Sequence, residues 1–153
     1  MIVRSWRIVK AKYARTAFSG AGAKISGGRW NSPGTGVIYT AGSISLGILE
    51  MLVHLGSKDV LRHYVTFELS FEEALVRRIP AAELPRSWWN PRAPAVCQSV
   101  GDEWVRSSDS PVLALPSAIV RTEWNYLLNP AHPDFPEIEI APAQPVRLDK
   151  RLK

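Results

Sequence analysis

The segment KISGGRWNSPGTGVIYTAGS sets Arg29 between a pair of glycines and a tryptophan. A guanidinium is a planar fork that grips phosphate or carboxylate through parallel hydrogen bonds. Gly27 and Gly28 let backbone come close to a ligand and accept positive φ. Trp30 offers a flat face for stacking. The pattern is neither a Walker loop nor a dinucleotide fingerprint, because GxxxxGK[ST] and GxGxxG are both absent. An ordinary long turn is the competing reading. Tyr39, in the strand directly after the loop, is either a core residue or a ring that stacks on a planar ligand.

Glu50 is the first acidic residue of the chain. At about 100° per residue, SISLGILEMLVHL reads as a broadly apolar helix. Ile44, Ile48, Met51, Leu52 and Leu55 share one face, which Leu49 and Val53 extend. The remaining stripe is Ser43, Gly47, Glu50, His54 and Ser57. Glu50 thus lies on a narrow polar edge of a helix that is otherwise buried. Gly47, one turn earlier, costs a helix interior about 1 kcal/mol relative to alanine and implies a packing or site reason. The competing reading has Glu50 facing water, paired with His54 at i+4.

Farther on, PVLALPSAIVRTEWNYLLNPAHPDF runs a buried strand into Pro116 and places Ser117 at its end. No GxSxG elbow surrounds Ser117, which argues against a serine hydrolase. Asn125, Asn129 and His132 follow. His132, between Asn129-Pro130 and Pro133, reads as a structural turn residue rather than a base. His54, His63 and His132 have no metal-binding spacing, and one cysteine, Cys97, excludes an internal disulfide and a cysteine zinc cluster.

These residues need elements to hold them. The pattern predicts strands over Ile2–Val9, Val37–Thr40, Tyr64–Leu69, Ala74–Ile79, Val112–Leu115, Ile138–Ile140 and Val146–Leu148. Val65, Phe67 and Leu69 would share a face. Ser43–Leu55 is the expected helix, with Ser43 as N-cap and Gly56 as stop. Thr16–Gly36 is expected as loop, residues 80–101 as proline-rich irregular chain, and Trp124–Leu128 as one helical turn. Many strands and few helices give an α+β fold with a mixed, strongly twisted sheet.

At 153 residues the chain is one expected domain, residues 1–153, able to bury about 70% of its unfolded surface without disulfides or metal. No apolar run reaches about 18 residues, so no membrane helix is expected. MIVRSWRIVKAKYAR carries charges inside its apolar stretch, unlike a signal peptide, so a cytoplasmic protein is the expectation. The net charge of +5 is uneven. Seven bases and no acid precede Glu50, whereas the rest of the chain carries −2. So one-sided a segment attracts phosphates, nucleotides, nucleic acid or an acidic partner, or simply solubilises the protein.

Taken together, these blocks resemble the RES-domain family, named for a recurrent Arg, Glu and Ser. The resemblance covers most of the chain. It opens at Trp6-Arg7-Ile8, continues through GGRWNSPGTGVIYTAGSISLGILEMLVH, and ends with VLALPSA and NYLLNPAHPDF. The family's Arg falls on Arg29, its Glu on Glu50 and its Ser on Ser117. Arg7 and Tyr39 match further recurrent positions. The resemblance implies a fold similar to ADP-ribosyltransferase toxins. It implies the toxin half of a toxin–antitoxin pair, with an Xre-type helix-turn-helix antitoxin that covers the active site. It also implies an NAD⁺ phosphorylase or glycohydrolase, which cleaves NAD⁺ at the nicotinamide–ribose bond and transfers ADP-ribose to phosphate or water. An alternative is ADP-ribosylation of a protein target.

On that reading Glu50, Arg29 and Tyr39 are the catalytic group, and Arg7, Arg29, Tyr39, Ser117 and Asn125 hold NAD⁺. Inorganic phosphate is a co-substrate, and neither metal nor membrane takes part. A basic nucleic-acid-binding module without turnover is the rival from another class. The chain lacks helix-turn-helix, zinc-finger and RRM signatures, so direct nucleic-acid binding is not expected. A homodimer is compatible with six tryptophans and the proline-rich segment around Trp88-Trp89.

Overall fold

A computed structural model describes residues 1–55, 63–149 and 151. Gly56 and Ser57, expected as helix stop and last member of its polar stripe, lie outside the described residues, as does the side chain of Leu55. The elements are β1 (Ile2–Lys10), α1 (Ala21–Ser26), β2 (Ile38–Ala41), α2 (Ile44–Leu55), β3 (Tyr64–Glu72) and β4 (Val76–Arg78). Then come α3 (Val96–Ser107), β5 (Val112–Pro116), β6 (Trp124–Leu128), β7 (Glu139–Ile140) and β8 (Gln144–Pro145). The fold is α+β, as the strand-rich pattern predicts. One mixed sheet runs β4-β5-β6-β2-β1-β3-β7, with β8 also on β3. The β4–β5 pair is parallel and the other pairs are antiparallel. No helix among the described residues is long and apolar enough to cross a membrane.

β1 and β3 are rich in β-branched and aromatic residues and pair over their full lengths, from Ile2↔Glu72 to Lys10↔Tyr64. Phe67, Leu69 and Phe71 pack with Ile38, Val112, Tyr126 and Leu128 on one face of the sheet. Leu113, Leu115 and Leu127, one residue out of phase, face the opposite way against Trp30, Trp88, Cys97 and Trp104. The central strands are therefore buried on both faces, and burial pushes the Cys97 thiol above its ordinary pKa.

Several elements differ from expectation. Trp124–Leu128 is not a helical turn. It is β6, the strand between β2 and β5, paired through Ala41↔Asn125 and Leu115↔Asn125. Five residues give too little helical signal to resist two flanking strands. Residues 80–101 are not wholly irregular, because α3 begins at Val96. It buries Cys97, Gly101 and Trp104 at helical spacing, a signal masked by Pro85, Pro91 and Pro94. The expected loop 16–36 contains α1, closed at both ends by left-handed glycines, Gly20 and Gly27. Val146–Leu148 is not a strand. Gln144–Pro145 pairs with β3 instead, and Val146 packs beside Ile8 and Tyr64.

In α2, Ser43 Oγ accepts the Leu46 N–H at 3.0 Å, the expected N-cap. Ile48, Met51 and Leu52 pack on Ile8, Tyr64 and Val146. Ile44, Leu49 and Val53, expected on that apolar face, are exposed instead. Gly47 has a packing reason: a Cβ there would lie 3.1 Å from Ile8 Cδ1. The helix therefore seats tightly on β1, which fixes where Glu50 points.

Candidate active site

Glu50 does not simply face water. Its Oε1 accepts hydrogen bonds from Ser117 Oγ at 3.0 Å and from Asn125 Nδ2 at 2.8 Å. His54 is exposed and makes no bond to it. Among the described residues no cation stands within ion-pair distance of Glu50, and Oε2 has no protein partner. The carboxylate is oriented by neutral donors and, among the described residues, has no counter-cation. Such a group is suited to meet positive charge on a ligand.

Ser117 is fully buried just past β5. Its Oγ donates to Glu50 and accepts the N–H groups of Ile119 at 3.0 Å and Val120 at 3.2 Å. Its backbone N–H is tied to Glu123 O. The serine thus anchors the turn after β5 and aims the carboxylate. Asn125, on β6, offers Nδ2 to Glu50, while its buried Oδ1 has no partner among the described residues. An unpaired buried carbonyl oxygen costs free energy, so a donor on a ligand would stabilise it.

Arg7, Arg29, Tyr39, Glu50 and Asn125 all line one cavity of about 1090 Å³, and Ser117 stands behind its wall. Arg7 reaches from β1, with Nε on Ala17 O at 2.6 Å and NH1 on Tyr39 O at 2.9 Å. Burial lowers its pKa to about 10, and it has no acidic partner among the described residues. A desolvated cation without a carboxylate is suited to meet an anion. Arg29 NH1 donates to Trp88 O at 2.7 Å and Asn90 O at 2.8 Å. Its Nε and NH2 keep no protein partner among the described residues.

Tyr39 fastens the arginine loop. Its hydroxyl donates to Asn31 Oδ1 at 2.6 Å and accepts the Trp30 N–H at 3.1 Å. Burial pushes the phenol up to about 12. A Cβ on Gly28 would sit 2.6 Å from that hydroxyl, so this glycine is required by the loop itself rather than by a ligand. Trp30 is not a stacking face, because its indole is buried among Trp88 and Trp104.

Pattern reading missed two supports of this loop. Asn31 is fully buried, and its Nδ2 donates to the carbonyls of Ala23, Ser32 and Thr35. Asp102, on α3, accepts the Ser32 N–H at 2.9 Å and its hydroxyl. Burial raises the Asp102 pKa, but the bonds from Ser32 outweigh it, and the carboxyl stays below its ordinary value. Asn31 was visible inside GGRWN; Asp102 has no local signal. His132 is structural, as expected, bridging Ser108 O and the Asp134 N–H. No three His, Cys, Asp or Glu side chains among the described residues are placed to hold a metal ion.

The family model described as RES domain matches residues 4–149. Toxin Res of Yersinia enterocolitica is 37% identical over 150 residues, covering 97% of this chain and 98% of that protein. Toxin Res of Photorhabdus laumondii is 40% identical over 131 residues, 85% of this chain and 83% of that one. The Prs ADP-ribosylating toxin of a Sphingobium species is 36% identical over 157 residues, with 99% and 98% covered. Among solved structures, a chain of the M. tuberculosis MbcT–MbcA toxin–antitoxin complex superposes with a TM-score of 0.79. The match covers 95% of this chain and 85% of that one at 18% identity, a likeness of fold.

Proposed function

The chain belongs to the RES-domain family, and from that premise we propose that it is the toxin of a toxin–antitoxin pair and breaks NAD⁺ at the nicotinamide–ribose bond. One observation carries the reading. A carboxylate aimed by Ser117 and Asn125 shares a cavity with two arginines, and among the described residues neither it nor they have an oppositely charged partner. NAD⁺ has the matching charges: a pyrophosphate for Arg7 and Arg29, and a cationic nicotinamide ribosyl end for Glu50. The volume, about 1090 Å³, accommodates a dinucleotide.

Cleavage breaks the C–N bond to C1 of the ribose. Nicotinamide leaves as a neutral molecule with the bonding electron pair, and positive charge develops on the sugar. Glu50 Oε2 stabilises that charge, as carboxylates do in glycoside chemistry. Asn125 Oδ1 accepts a hydrogen bond from a ribose hydroxyl or the nicotinamide amide. Tyr39 packs its ring against nicotinamide. An oxygen of phosphate, or of water with loss of a proton, then bonds to C1. The products are a phosphorylated ADP-ribose or free ADP-ribose.

The test is mass analysis of NAD⁺ incubated with the purified protein, with and without inorganic phosphate. Phosphate-scaled product supports the phosphorylase, and free ADP-ribose independent of phosphate supports hydrolysis. Glu50→Ala is expected to cut NAD⁺ loss by at least about 100-fold. A wild-type rate from this variant would sink the proposal. A second reading, ADP-ribose transfer to a protein, is favoured by the 36% identity to the Prs ADP-ribosylating toxin. Labelled ADP-ribose appearing on protein separates it. The likeness to a chain of a toxin–antitoxin complex supports an antitoxin partner; the resemblance to the RES family makes the Xre type, seated over the cavity mouth, the partner we propose.

A further inference from the structure

Two adjacent tryptophans have opposite fates. Trp88 is 6% exposed and packs against Trp30 with ring centroids 6.3 Å apart, whereas Trp89 is 39% exposed and lines the cavity. Ser87, before them, holds a left-handed φ of 61°, and Asn90 N–H closes a turn on Ser87 O at 3.0 Å. The turn sends one indole into the core and the next to the cavity wall. The backbone on either side of Trp89 and its ring are each held by an arginine. Arg29 NH1 holds the carbonyls of Trp88 and Asn90, the two residues flanking it. Arg121 lies over the indole, its guanidinium carbon 4.1 Å from the ring centroid. Arg121 belongs to the turn that begins at Ser117 and aims Glu50. A cation on one face of an indole is favourable and restricts its rotation.

We propose that Trp89 is the stacking platform for one of the two aromatic rings of the dinucleotide. This rests on the NAD⁺ reading above and adds a residue to it. The indole is large and flat, braced by Arg121 at the ring and by Arg29 through the neighbouring backbone, and still 39% exposed where it lines the cavity, as aromatic platforms for bases are. Arg29 then serves twice: its free nitrogens meet the pyrophosphate, and NH1 sets the height of the platform. Engaging the anion and presenting the ring surface become one event. Arg29 is therefore a positioning residue for Trp89 as well as an anion ligand.

The experiment compares Trp89→Ala, Trp89→Phe and wild type on NAD⁺ and on nicotinamide mononucleotide, which lacks adenine. Loss of base stacking is expected to raise KM for NAD⁺ about tenfold or more in the alanine variant, with phenylalanine restoring most of it. A rise for NAD⁺ alone assigns the platform to adenine; a rise for both substrates assigns it to nicotinamide. An unchanged KM for both in Trp89→Ala, in a protein that melts at the wild-type temperature, overturns the proposal. If wild type itself leaves NAD⁺ intact, the functional reading fails first and this proposal with it.

Discussion

Ser117 and Glu50 are 67 residues apart in the chain, and the hydroxyl of one donates to Oε1 of the other at 3.0 Å. The same hydroxyl accepts two backbone N–H groups. It therefore sets the carboxylate by holding the turn behind it. Ser117→Ala is expected to lower kcat by about tenfold or more, the worth of a hydrogen bond to a charged group, while KM stays near wild type. Steady-state kinetics on NAD⁺ check this. A large rise in KM at constant kcat would instead make Ser117 a substrate ligand.

Arg7 is the second prediction. Its guanidinium is desolvated, faces no acid among the described residues, and bonds Ala17 O and Tyr39 O with separate nitrogens. Lysine keeps the charge and loses the fork, so it cannot serve both carbonyls and a phosphate. Arg7→Lys is expected to raise KM for NAD⁺ by about tenfold or more. Added pyrophosphate should raise the melting temperature of wild type and not of the variant, since a ligand stabilises only the state that binds it. Equal shifts in both proteins would place the anion elsewhere.

Alkaline pH tests Tyr39. Burial holds its phenol neutral up to about 12, against 10.0 in an unfolded chain. Between these values the unfolded state has released the proton and the folded state has not. Stability due to this residue is thus complete below pH 10 and is lost as pH rises from 10 to 12, by on the order of 2–3 kcal/mol. Tyr39→Phe leaves the Trp30 N–H and Asn31 Oδ1 without this partner and should be about 1–2 kcal/mol less stable at pH 8. Its deficit should shrink above pH 10. Urea midpoints at pH 8, 10 and 11 decide the matter; a constant gap would contradict it.

The candidate site was legible in the sequence where one local element carries the residue. Arg29 is marked by the two glycines before it, Glu50 by a polar stripe on an apolar helix, and Ser117 by the end of a buried strand. Their partnerships were not legible, because they depend on sheet order. Asn125 meets Glu50 only because β6 enters between β2 and β5, and a five-residue run does not announce its neighbours. Asp102 is 70 residues from Ser32, on a helix hidden by the prolines before it. Trp89 is distinguished from Trp88 by a turn at Ser87 that serine does not advertise.

The late position of β6 has a consequence during synthesis. Both arginines, Tyr39 and Glu50 lie in the first third of the chain, but the strand that completes the middle of the sheet is Trp124–Leu128. A growing chain that has released residue 100 carries every charged group of the cavity and neither group that orients the carboxylate. Domains fold as units once their last necessary segment is available. The charged lining of the cavity and the two groups that orient its carboxylate therefore leave the ribosome as separate instalments, joined only when β6 can enter the sheet.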